Sequence, residues 1–200
     1  MGDLLNYESD RTAIVELLEH GIHFSQHLLK DFNIRQGESF PVIVQSKESL
    51  IHMMKWGIEN PIMDRGPELT YIYGPTIEKQ ESLKKLIQHQ RVLIPVNKFV
   101  HHRLDQENDI VIRHPEHKVL WLAGIWYENK LGQKGFALIT QNSIESKRNQ
   151  IRRVPVFVMH KTFIRQWLSK GFTTMTELDM IMSVKTQPTV GTEYVDLVEF

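Results

Sequence analysis

Two hundred residues suffice for one domain with a real core, and 24 basic against 24 acidic side chains leave no net charge. The chain has no cysteine, which excludes disulfides, thiolate zinc sites and cysteine nucleophiles. No apolar run approaches the roughly 20 residues of a membrane span, and Met1-Gly-Asp-Leu-Leu-Asn-Tyr-Glu8 lacks the basic flank and apolar stretch of a signal peptide, so a soluble, cytoplasmic protein is expected.

In chain order, Asp10 can cap a helix running to about Lys30, with Ile14, Leu17, Leu18, Ile22, Leu28 and Leu29 near helical spacing. His20, His23 and His27 share one face of it, but no carboxylate motif completes a metal set and no metal is expected. Phe40–Val44 and Leu50–Ile58 read as strands. Leu69–Tyr73 reads as a strand that Gly74-Pro75 ends. Glu78–Gln88 is helical, with Leu83, Leu86 and Ile87 on its inner face.

Four runs then follow that are apolar on both pleat faces: Arg91–Val100, Val119–Trp126, Gly135–Thr140 and Arg153–Val158. Such runs belong at the centre of a sheet. Between them, Asp109–Arg113 suggests an edge strand and Asn142–Gln150 a polar loop or short helix. Thr162 opens a helix burying Phe163, Ile164, Trp167 and Leu168, closed by Gly171. Thr174-x-x-Glu177 resembles a capping box, and Tyr194–Val198 a final strand. Helices and strands do not alternate strictly. The expectation is a single α+β domain over residues 1–200, with a mostly antiparallel or mixed sheet flanked by helices.

Charge is unevenly spread. Between Glu81 and Asp105 the ionised side chains are Lys84, Lys85, Arg91, Lys98 and Arg103; between Glu145 and Glu177 they include Arg152, Arg153, Lys161 and Arg165. Acid-free basic stretches can mark a face for phosphates or a set of solvated faces balanced elsewhere. No Gly-rich phosphate loop, G-x-S-x-G elbow or H-E-x-x-H helix occurs. His101-His102 follow a strand end, where histidine can serve as a base or a phosphate contact. Trp121 and Trp126 read as core; Trp56, next to Gly57 and a loop, is expected to keep one ring face accessible.

Taken together, Trp56-Gly-Ile58 with Pro61, Arg91-Val-Leu-Ile-Pro-Val-Asn-Lys-Phe-Val-His-His102, Ala123-Gly-Ile-Trp126, Phe136-Ala-Leu-Ile-Thr140, Ile151-Arg-Arg-Val-Pro-Val-Phe-Val158 and Trp167-Leu168 follow one order. That series resembles the SOS response-associated peptidase (SRAP) family, whose members show W-G-L, R-C-L-I-P-x-x-G-F-Y-E-W, A-G-L-W-E, F-x-I-I-T, I-H-x-R-M-P-V-I-L and W-L in the same order. The match covers roughly residues 40–170.

The resemblance implies an SRAP-like fold, with a mixed or antiparallel, barrel-like sheet at its core flanked by helices. It also implies a reactive site built on a cysteine after the initiator methionine, which captures the aldehyde of an abasic site in single-stranded DNA as a thiazolidine. Here Gly2 stands at that position. His101 and His102 stand for the glutamate and tryptophan of F-Y-E-W, and Ile151 for the histidine of I-H-x-R-M-P. The family's N-A-R-x-E-T is replaced by Thr70-Tyr-Ile-Tyr-Gly-Pro-Thr76, whereas Arg153 keeps the arginine of I-H-x-R-M-P and Arg152 adds a charge. A thiazolidine needs a thiol beside the amine, so no catalytic residue and no cofactor are expected. The expected function is noncovalent binding of single-stranded or abasic DNA in a DNA-damage response, with Trp56, Lys98, His101, His102, Arg152 and Arg153 as candidate contacts. The alternatives are a protein-interaction module that has abandoned DNA and an enzyme using His101 or His102 as base.

Overall fold

The computed structural model describes residues 3–8, 30–45, 50–101, 108–114, 119–142, 153–170, 174–182 and 191–196. The expected helix from Asp10, its three histidines and the segment 143–150 lie outside these residues.

A closed barrel organises the molecule. Strand β3 (Ser39–Val44) pairs antiparallel with β4 (Leu50–Trp56) on one side and with β6 (Arg91–Val96) on the other. Strand β6 pairs along its whole length with β9 (Leu120–Glu128), from Arg91↔Ile125 to Val96↔Leu120. Strand β10 (Lys134–Asn142) folds back on β9 and then meets β4 in parallel at Gly135↔Lys55 and Phe136↔Trp56, which closes the ring. All six residues of β6 and the seven central residues of β10 are buried, because one pleat face fills the barrel and the other is covered from outside. Each fully buried aliphatic or aromatic side chain here contributes about 1.5–3 kcal/mol.

The parallel seam requires glycine. A Cβ on Gly135 would lie 2.0 Å from the Gly57 carbonyl oxygen, and Gly57 itself has φ +144° while its N–H donates to the Phe136 carbonyl (2.8 Å). The Trp56-Gly57 pair is therefore a closure device.

Beyond the seam, β10 carries two short strands: β5 (Tyr71–Tyr73) in parallel and β11 (Arg153–Pro155) antiparallel. A second, five-stranded sheet runs in the order β12 (Gly191–Asp196), β8 (Asn108–Arg113), β7 (Lys98–His101), β1 (Leu4–Tyr7), β2 (Phe32–Arg35). The run Arg91–Val100 is thus two strands in two sheets, broken at Asn97, whose N–H donates to the Asn6 carbonyl and whose side-chain oxygen accepts from the Glu8 N–H. Strand β8 is paired on both sides, not at an edge as its sequence suggested.

Four described helices flank the sheets: α1 (Gly74–Ile77), α2 (Glu81–His89), α3 (Lys161–Leu168) and α4 (Met175–Met182). Gly74-Pro75 start a helix as well as ending β5, as the fixed φ of a proline in a first turn allows. Helix α2 buries Leu83, Leu86 and Ile87 as expected; α3 buries Ile164, Trp167 and Leu168 but leaves Phe163 half-buried. The capping box forms: Glu177 N–H donates to Thr174 Oγ1, and Glu177 Oε2 accepts from the Thr174 N–H. No described helix is long and apolar enough to cross a membrane.

Arg91, counted by sequence among the basic surface residues, is fully buried. Its Nε donates to the Trp167 carbonyl (2.7 Å), Nη1 to those of Ile87 and Gln88, and Nη2 to that of Ser169. One guanidinium thus satisfies the terminal carbonyls of α2 and α3 together. Burial lowers its pKa to about 10.

Candidate functional site

Strands β6 and β10 run the same way, and at the end where both finish, β5, β7, β1 and β11 converge. Strand β5 sets the geometry. Ile72 is buried, whereas Tyr71 and Tyr73, one position to either side, project from the other pleat face and stay half-exposed. Thr140↔Tyr73 and Asn142↔Arg153 are direct partners across the sheet, so Arg153 shares the face of the two tyrosines.

At one end of this face, the Tyr71 hydroxyl donates a hydrogen bond to Asp3 Oδ2. His101 Nδ1 lies 2.8 Å from Asp3 Oδ1, and since a carboxylate only accepts, that nitrogen carries the proton. Asp3 precedes β1 and His101 ends β7, whose register (Leu4↔Val100) brings the two together. Burial first, then the Asp3 carboxylate, push the Tyr71 phenol well above its ordinary range, so it remains a donor. Trp56 backs Tyr71 edge-on, with centroids 5.7 Å apart. The Asp3 side chain is 14% exposed and that of His101 36%, so the histidine forms the accessible surface.

At the other end, the Arg153 guanidinium lies 4.3 Å from the centre of the Tyr73 ring, and the Tyr73 hydroxyl donates to Asn142 Oδ1 (3.0 Å). Arg153 is exposed. Among the described residues no group of three His, Asp or Glu is placed to hold a metal ion.

The candidate contacts therefore separate. His101 and Arg153 occupy the same surface, linked through Tyr71 and Tyr73. Lys98, three positions before His101, points to the opposite face of β7 and is half-buried. The expected accessible face of Trp56 is corrected: the ring is fully buried, stacked on Phe136 and bonded through Nε1 to the Thr70 carbonyl. Gly2, His102, Ile151 and Arg152 lie outside the described residues. Sequence reasoning missed Asp3, Tyr71, Tyr73 and Asn142. The alternation Tyr-Ile-Tyr was the available signal for two of them; nothing local marked Asp3.

The N-terminus, the 70–76 stretch and the end of β7 thus meet around one carboxylate. A family model, SOS response associated peptidase (SRAP), matches residues 6–196 of the chain. Solved structures share the fold. A phage-related protein from Bordetella bronchiseptica superposes with a TM-score of 0.75 at 18% identity, over 98% of this chain and 94% of that one. A protein from Bacteroides thetaiotaomicron gives 0.71 at 15%, over 98% and 93%, and a second Bordetella bronchiseptica protein 0.71 at 14%, over 98% and 100%. No curated protein matches the chain.

Proposed function

Since this chain belongs to the SOS response associated peptidase family, we propose that it is a noncovalent reader of single-stranded DNA, abasic strands included, acting in a DNA-damage response. The observation that carries the reading is the Arg153–Tyr73 stack on an exposed sheet face. A guanidinium over a half-exposed ring offers a phosphate contact and a stacking surface at once, neither of which depends on base identity. The neighbouring Asp3 carboxylate would repel phosphates, but it is largely covered and its oxygens accept from Tyr71 and His101.

Crosslinking is not part of the proposal. Position 2 is glycine and the sequence contains no cysteine, so the thiol that closes a thiazolidine is missing. His101 and Ile151 stand where the family motifs carry a carboxylate and an imidazole, which removes that acid–base pair.

Fluorescence anisotropy with labelled single strands, intact and abasic, at low and moderate salt tests the reading. Salt-sensitive binding is expected, and Arg153→Glu should weaken it and lower the salt slope by at least about one. Binding indifferent to salt and to that substitution would overturn the assignment of this face. Borohydride trapping on the abasic strand alone would show a terminal amine reaching the aldehyde. No binding at all would favour the protein-interaction module, in keeping with the zero net charge.

A further inference from the structure

The exposed face carries a fixed charge of opposite sign at each end. Arg153 lies over the Tyr73 ring, and the Asp3 carboxylate accepts from Tyr71. Tyr71 and Tyr73 are two positions apart on β5, about 6–7 Å along the strand. A nucleic-acid strand held at Arg153 therefore also passes the Asp3 end. Cover alone does not remove that carboxylate's charge, because a neutral donor such as the Tyr71 hydroxyl brings no positive charge to cancel it.

His101 can cancel it. Its Nδ1 lies 2.8 Å from Asp3 Oδ1, a geometry that serves two states without rearrangement. With one proton on the ring, Nδ1–H donates to the carboxylate; with two, the same contact becomes an ion pair. The side chain is partly exposed, so its proton exchanges with solvent. Tyr71 reaches the pair from β5 and keeps its phenol proton, since burial and Asp3 hold its pKa far above the ordinary range. Gln36, which follows β2, is a neutral amide beside the same hydroxyl. On β8 the residue opposite His101 is Ile110, while Lys98 and Asp109 lie on the other pleat face. Among these described groups, the imidazole is the one whose charge changes near neutral pH.

We propose that His101 is a proton-operated control on this face: its imidazolium cancels the Asp3 charge and admits the phosphates of a single strand, whereas its neutral form leaves a carboxylate that repels them. The inference rests on the DNA-binding reading above and adds the regulation of that site. Asp3 acts through the ring it orients and is a positioning residue. Protonation adds positive charge, so affinity rises as pH falls through the range around 6.5 where imidazoles ordinarily titrate. Bound DNA in turn favours the proton by the same factor.

The test joins anisotropy with labelled oligothymidine to NMR of the His101 ring protons in the full chain. Binding is compared at about pH 5.5 and pH 8, the span of imidazole titration, where thymidine strands add no titrating group. Binding about fivefold tighter at the lower pH is expected, the effect of one contact charge in water, with a salt slope steeper by about 0.7. The strand should raise the midpoint of the His101 titration by about 0.7 pH, the same fivefold factor read from the proton's side. His101→Gln should lose the pH response, and His101→Arg should bind at the higher pH as the parent does at the lower. Asp3→Asn should tighten binding at the higher pH, where the parent's carboxylate is unmatched. An unchanged pH response in His101→Gln, a His101 midpoint that the strand does not move, or no gain in Asp3→Asn would each overturn the control while leaving DNA binding in place. Absence of binding by the parent at both pH values would instead overturn the DNA reading itself, and the control with it.

Discussion

The two ends of the barrel use arginine in opposite ways. Where β6 begins, Arg91 is sealed in and its donors are taken by the last carbonyls of α2 and α3. Where β6 and β10 finish, Arg153 lies exposed on a tyrosine ring. Both residues sit in acid-free basic stretches of the sequence, and only the fold separates them. A basic segment is thus no guide to a basic face: the nearest carbonyls and rings decide what each cation does.

The contrast can be broken most directly at Arg91. Arg91→Met strips the Ile87 and Trp167 carbonyls of their shared donor and should cost about 3–5 kcal/mol in denaturant unfolding, a large fraction of an ordinary domain's stability. Gly135→Ala probes the seam between the two ends. With the Gly57 oxygen 2.0 Å from the new methyl group, the backbones must separate, and a loss of about 1–3 kcal/mol is expected.

Asp3→Ala should cost less, about 1–2 kcal/mol, because the Tyr71 hydroxyl and His101 lose their acceptor. It should also change strand binding, since the carboxylate no longer fixes His101; thermal melts and anisotropy read the two effects separately. Arg153→Glu, by contrast, should shift stability by no more than about 0.5 kcal/mol while altering DNA affinity. A large stability loss there would erase the distinction between the ends.

The smallest effect is one of pH. The folded protein holds the Asp179 proton up to about pH 6, whereas an unfolded chain releases it near pH 4, at about 3.9. Between those values the native state binds more protons, so stability falls as pH rises. Asp179→Asn should therefore melt slightly above the parent at pH 7.5 and level with it at pH 3.5, which calorimetry can follow.

Much of this fold was legible because its strands are apolar on both faces, as in Arg91–Val96 and Phe136–Thr140, and the helical faces of Leu83, Leu86 and Ile87 follow ordinary periodicity. What escaped was non-local. Leu4–Tyr7 is too short to show alternation and becomes a strand only by pairing with Phe32–Arg35 and Lys98–Val100. Asn97 breaks a run whose β character is continuous on both sides, because it belongs to two sheets. Gly57 looked like the edge of a loop; its purpose lies in Gly135, which no local pattern reveals. The site escaped for the same reason: Asp3 and His101 are 98 positions apart, and only register joins them.

The parallel seam also shapes how the chain reaches this state. Lys55 and Gly135 meet across it although they are 80 positions apart, so the ring cannot zip shut from neighbouring hairpins. Until β10 leaves the ribosome, β4 presents an unpaired edge, and Leu50–Trp56 waits there with Met54 and Trp56 uncovered. Folding should be slow for a chain of this size, in the range of milliseconds to seconds typical of non-local β topologies. A chain truncated before Lys134, which lacks β10, should aggregate rather than persist as a smaller domain.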